Sequence, residues 1–376
     1  MVKVSIYYYS RNKFISKIPK DHINLSELAR EDDSERQELH HYHHIDGQSH
    51  EPSEFDLQKI RKKSITNLII DSDEYAGVQE HVIMNFANFL DKYDIQNIYI
   101  QNPPVKVLEQ MTKLFGENIK IYHQEYASIT DEIIKKFYTN FSTHIIGQEK
   151  VKDSLSTALI PLLFNKREKP IVILLYGNSG IGKTESVKLL ANTMDEPLFR
   201  EQFSMYQNNE FSNYMFGGKH SEKSFAKDLL DRNSNIILLD EFDKANSTFY
   251  SAFYQLFDEG IFVDKNYSLE LKQSVIICTS NFQTIEEIKK TLGDAIFGRF
   301  DNVIHFEDLN DSAKYQIGMK IFDELHKKYT EKFNYTLKDS MSDKLKEQFV
   351  KCQNVRQIKN TIEECLSFFY LKSIVK

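Results

Sequence analysis

Cysteine is scarce in this chain. Only Cys278, Cys352 and Cys365 occur among 376 residues, at no paired spacing. An odd, low count points away from a disulfide framework and to a reducing compartment. Long apolar runs are lacking too. The longest, Ile171–Tyr176, is far short of the roughly 20 residues that cross a bilayer. The opening MVKVSIYYYSRNK has no signal-peptide apolar run. The expectation is a cytoplasmic protein with no membrane partner. Basic residues are not in surplus: 48 Lys and Arg stand against 55 Asp and Glu, interspersed, for a net charge of −7. No electrostatic footprint for nucleic acid results, although a local basic groove stays compatible with the counts. Glycine and proline are few, and 41% hydrophobic with 27% charged residues is the make-up of a globular chain. The length suffices for two or three domains.

Four zones follow one another. Residues 1–25 open on the β-prone VKVSIYYY, and residues 26–63 are polar, charged and His-rich, as in a long loop or solvated helix. From 65 to 124 the pattern reads strand (65–70), helix (77–92), strand (95–100), helix (105–115), strand (119–122), a small α/β domain with parallel strands. A helical connector follows at 128–141. From 145 onward five β-prone runs, at 171–176, 198–203, 236–240, 275–279 and 303–306, alternate with helical segments. That is a doubly wound α/β sheet. After about 310 only helical patterns remain, at 312–329, 342–351 and 355–372, and suggest a helical lid. The expected divisions are 1–125 for the N-terminal domain, 126–144 for the connector, 145–309 for the large α/β subdomain and 310–376 for the lid.

The stretch LLYGNSGIGKTES, residues 174–186, carries the strongest chemical signal. Its GNSGIGKT fits G-x-x-x-x-G-K-[ST], with an apolar strand before and a helix after. Glycines let successive backbone N–H groups converge on phosphate oxygens, and the helix starting near Lys183 adds its positive dipole end. Lys183 is expected on the β and γ phosphates and the Thr184 hydroxyl on Mg²⁺. The alternative is an ordinary glycine-rich turn. The second signal is IILLDEFDKA at 236–245. A buried strand ends there in Asp240, placed for the Mg²⁺ shell, and Glu241, placed to polarise the attacking water. The alternative is a strand ending in solvated acids.

Further segments give these motifs company. HIIGQEKV (144–151), LLDEFDKA, IICTSN (276–281), FGRFDNVIHF (297–306) and NVRQIKN (354–360) follow in order. Over about three fifths of the chain, from 145 to 376, the sequence resembles the AAA+ ATPases of the Clp unfoldase family. The resemblance implies a P-loop module with a five-stranded parallel sheet, helices on both faces and a C-terminal helical lid. It implies ATP and Mg²⁺ as ligands, with adenine against Ile145 and Ile146 and phosphates on Gly177, Asn178, Ser179, Gly180, Ile181, Gly182, Lys183, Thr184 and Glu185. Catalysis would fall to Lys183, Glu241 and the sensor Asn281, with Arg299 as arginine finger and Arg356 as lid arginine. The family has Gly two residues before that arginine, where this chain has Asn354. A finger acting in trans implies a ring, hexameric in the family.

NYMFGGKHSEKSF (213–225) falls where the family carries its aromatic pore loop. Phe216 takes the aromatic place, with Tyr214 as the other candidate to grip a protein client. The family wording is Gly-Tyr-Val-Gly, so the match is partial, and a plain surface loop is the alternative. A second segment, DKNYSLELKQ (264–273), also qualifies for a channel. No Ile-Gly-Phe tripeptide supports a peptidase ring as partner. The expected function is an ATP-driven protein remodeller whose N-terminal domain recruits clients. The rivals are a nucleic-acid-directed motor or loader and an ATP-dependent assembly switch. HHYHHIDGQSH (40–50) holds five histidines without a fixed metal-ligand spacing and reads as a loop. The acids of IIDSDEY (69–75) read as caps of the following helix.

Overall fold

The computed structural model describes residues 2–34, 62–164, 167–205, 210–333 and 339–375; the histidine stretch 40–50 lies outside them. The chain forms two compact units. The first comprises Met1–Tyr126, Asn208–Asn233 and Ile261–Glu270, and the second Ala127–Gln207, Ser234–Gly260 and Leu271–Lys376.

The first unit is built on β1 (Lys3–Tyr8), β2 (Ile23–Asn24), β3 (Lys63–Ile70), β4 (Tyr93–Gln101) and β5 (Ile119–His123). All pair in parallel, in the order β2-β3-β4-β1-β5. The opening VKVSIYYY stretch therefore lies inside the sheet, with Ile6 opposite Ile100 on one side and Ile121 on the other. Val4, Ile6, Leu68, Ile70, Ile98 and Ile100 form its core. Between β3 and β4, where the spacing predicts one helix over 77–92, three short helices occur: Glu74–Gly77, Glu80–Met84 and Phe86–Leu90. Asn85 leaves the helical region at φ −120°, ψ 39°, and its side chain donates to the His81 carbonyl. Such side-chain bonding competes with the helical ladder. After β3, Asp71 Oδ1 accepts from the backbone N–H groups of Asp73 (2.9 Å) and Glu74 (3.2 Å), opening the next helix.

The second unit carries β6 (Ile171–Tyr176), β7 (Phe199–Gln202) and β8 (Ile236–Asp240). A hairpin of β9 (Ile261–Val263) and β10 (Ser268–Glu270) comes next and belongs to the first unit. Then β11 (Val275–Thr279) and β12 (Asn302–His305) return to the second. The sheet is fully parallel, in the order β12-β6-β11-β8-β7. Every residue of β6, β8 and β11 is buried, because these strands are inner ones in a layer covered on both faces. The helices Glu149–Leu159 and Lys183–Thr193 add Val151, Leu155, Leu159, Val187 and Leu190 to that core. Each such side chain stabilises the fold by about 1.5–3 kcal/mol. Asp131–His144 contributes Phe137 and Phe141. Asp311–Phe333, Asp339–Phe349 and Val355–Ile374 close the chain around Phe322, Phe349, Ile358, Ile362 and Leu366.

Candidate nucleotide site

β6, β8 and β11 end at the same sheet edge, and each hands the chain to a motif residue. Past β6 the backbone enters GNSGIGKT through Gly177 at φ +134° and leaves through Gly182 at φ +113°. A side chain at Gly177 would collide with the Phe306 carbonyl, so this close approach requires glycine. The loop turns back on Lys183, which is 7% exposed. Lys183 Nζ donates to the carbonyls of Gly177 and Asn178, both at 2.7 Å, and to Oδ1 of Asn281 at 3.3 Å. Burial pushes its ammonium down to about 8, opposed by the charges of Asp243, Asp240 and Glu241.

At the end of β8, Asp240 is buried. Its Oδ1 accepts from the hydroxyls of Thr279 and, at 3.4 Å, Thr184. Its Oδ2 accepts from Arg200, through Nε at 3.0 Å and Nη2. Glu241 sits in the left-handed region at φ 55°, ψ 43°. For a non-glycine residue that costs on the order of 1–3 kcal/mol and persists only where surroundings enforce it. Here Thr279 Oγ1 accepts the Glu241 N–H at 3.0 Å, and Gln202 Nε2 donates to Oε2 of Glu241 at 3.2 Å.

These groups line one cavity of about 490 Å³. Ser179, Gly180, Ile181, Gly182, Lys183, Thr184 and Glu185 form its floor, Asp240, Glu241 and Asn281 its acidic and amide wall, and Ile145 and Ile146 an apolar corner. Arg356 reaches it from the lid, beside Val355 and Lys359. The Val355 N–H donates to the Gly180 carbonyl at 3.0 Å, and a side chain on Gly180 would crowd Asn354. Asn354 caps the lid helix by accepting from the Gln357 N–H at 3.0 Å. The residue that departs from the family's glycine thus serves as helix cap and loop contact. Asn178 alone in the loop turns its side chain elsewhere, to Asp308 at 2.6 Å and Gln283 at 2.8 Å.

Arg299 does not line this cavity; its guanidinium lies against Asp258 and Tyr254. Of the two pore-loop candidates, Phe216 is 39% exposed and Tyr214 only 5%. Tyr214 donates from its hydroxyl to Asp228 at 2.8 Å, so its ring is committed to the first unit's interior. Segment 264–273 contains β10, and Asp264 Oδ1 accepts from the N–H groups of Asn266 and Tyr267, both at 2.7 Å, closing the hairpin. Arg200, Gln202 and Lys359 were not anticipated. The alternation in FREQ, which puts Arg200 and Gln202 on one face of β7, was the available signal.

Residues 168–351 match the AAA domain (Cdc48 subfamily). The chain carries an AAA domain and is similar to Clp-family proteins. It is 24% identical to the chaperone protein ClpB of Malacoplasma penetrans, over 72% of this chain and 45% of that protein. It is 27% identical to the ATP-dependent Clp protease ATP-binding subunit ClpL of Staphylococcus aureus, over 52% and 31%. It is 30% identical to a Staphylococcus aureus ClpB, over 39% and 19%. The chain spans less than half the length of these relatives. No described helix is long and apolar enough to cross a membrane.

Proposed function

We propose that this AAA+ protein binds ATP, hydrolyses it, and uses the energy to remodel protein clients as a ring of copies. The observation that carries the ATPase reading is the convergence of Lys183, Thr184, Asp240, Glu241 and Asn281 on one cavity closed by the lid. Lys183 supplies a positive charge at the floor, where phosphate oxygens would rest. Glu241, held by Gln202 and Thr279, accepts the proton of the attacking water. Asn281 orients that water without adding charge. The hydroxyl of Thr184 facing the carboxylate of Asp240 is a hard-oxygen pair that suits Mg²⁺. When bound, the ion would neutralise phosphate charge. Arg299, outside its own cavity, serves the site of a neighbouring copy.

Remodelling rests on the Clp relationship and on exposed Phe216; the client and the hexameric count extend it. The burial of Tyr214 and Met215 favours a second reading, a nucleotide-driven assembly switch that threads nothing. Glu241→Gln tests the first step: turnover should fall by roughly 10²- to 10⁴-fold with nucleotide still bound, and clients should co-purify with the stalled assembly. Undiminished hydrolysis would refute the assignment of the base.

A further inference from the structure

The arginine taken as finger is not a loose surface side chain. Arg299 Nε donates to Oδ2 of Asp258 at 2.9 Å, and its Nη1 donates to the Ala295 carbonyl at 2.5 Å. Its guanidinium carbon lies over the Tyr254 ring, 4.4 Å from the centroid. Tyr254 and Asp258 stand four residues apart on the helix Ala252–Glu259, so they share a face. The rest of the helix surface carries Phe253, Leu256 and Phe257, all buried. The backbone of Arg299 is pinned as well. Ile296 and Phe300 flank it in the core, the latter tilted against Phe257 at 5.9 Å.

A planar fork held by a carboxylate and a backbone carbonyl and seated over an aromatic ring loses most of its rotational freedom. Nη2 makes no hydrogen bond among the described residues and stays available. We propose that Tyr254 and Asp258 are positioning residues for Arg299, fixing its guanidinium for delivery to the nucleotide of a neighbouring copy. This rests on the reading of Arg299 as a finger in trans. Prepaying orientation matters because displacement of a catalytic group by about 1 Å can cost 10²-fold in rate.

Full-length Asp258→Ala and Tyr254→Ala proteins test this. Both should lower kcat roughly 10- to 100-fold, with KM and directly titrated nucleotide affinity unchanged. Tyr254→Phe, which keeps the ring face, should recover most of the rate. The defect must travel with the finger. Asp258→Ala subunits mixed with Lys183→Ala subunits should turn over faster than either alone, since the latter lend an intact finger to intact pockets. Lost affinity, or no gain on mixing, would overturn the positioning role. So would a faster Asp258→Ala protein, which would make the contact a restraint. An Arg299→Ala with Lys183→Ala mixture is the separate control. If it regains turnover while the Asp258→Ala mixture does not, only the positioning role fails; if neither does, the trans reading fails.

Discussion

Arg200 addresses the same carboxylate as Thr184. Its Nε donates to Oδ2 of Asp240 at 3.0 Å, while the Thr184 hydroxyl faces Oδ1 at 3.4 Å. A guanidinium thus holds one oxygen of the carboxylate whose other oxygen faces Thr184. Arg200→Ala is expected to lower the Mg²⁺ concentration for half-maximal turnover several-fold. Without Mg²⁺ it should also destabilise the protein by about 1 kcal/mol, the low end for a charged hydrogen bond because Arg200 is partly exposed. An unchanged Mg²⁺ midpoint would show that Arg200 does not compete for Asp240.

The charge state of Lys183 sets a pH window. Its ordinary value of 10.5 falls to about 8 through burial. The folded value lies below the unfolded one, so the folded protein releases this proton first as pH rises. Below about 8 the buried charge costs stability, and that cost fades between 8 and 10.5. On the proposed reading, phosphate binding needs the same charge. Affinity for a fluorescent ATP analogue should therefore fall several-fold from pH 7 to 9, with no loss of fold stability from this lysine. Constant affinity across that range would remove the ammonium from phosphate binding.

Gly177→Ala should damage the loop more than an ordinary glycine replacement. It places a side chain at φ +134° and against the Phe306 carbonyl. Gly116→Ala is the control, since φ is +51° there with nothing within 4 Å. Chemical denaturation should show about 1 kcal/mol lost for Gly116→Ala and clearly more for Gly177→Ala, which alone should weaken nucleotide binding. Equal losses would mean that the loop can move away from Phe306.

The two aromatics of NYMFGG should separate cleanly. Tyr214→Phe removes the donor to Asp228, whose carboxyl burial already pushes above the usual carboxylate range. It should cost about 1–3 kcal/mol of stability and leave ATP turnover alone. Phe216→Ala should, under threading, abolish client remodelling at normal ATPase. Remodelling that survives Phe216→Ala would favour the assembly switch.

Much of the second unit was readable because its inner strands are buried on both faces. IVILLY, IILLD and VIICT coincide with β6, β8 and β11 to the residue, since continuous apolar runs leave little choice of boundary. The glycine-rich turn after β6 is legible as a local pattern, although the groups its glycines make room for, Phe306 and Asn354, arrive from far along the chain. What could not be read was long-range. Arg200 and Gln202 lie on an edge strand of mixed character, and only its pairing with β8 shows that they reach Asp240 and Glu241. Likewise, the Tyr254–Asp258 spacing acquires meaning only when Arg299 arrives from 41 residues away. The helix predicted over 77–92 broke because a local hydrogen bond at Asn85 outweighed a good apolar period.

The first unit draws on Asn208–Asn233 and Ile261–Glu270, which the chain reaches only after passing through β6 and β7. A ribosome releasing this protein from its amino end therefore cannot finish the leading body before starting the trailing one. The leading body's five-stranded sheet is encoded by the first 123 residues, but its later segments join only by long-range closure. An excised piece ending at Tyr126 would emerge with surface meant for partners not yet made.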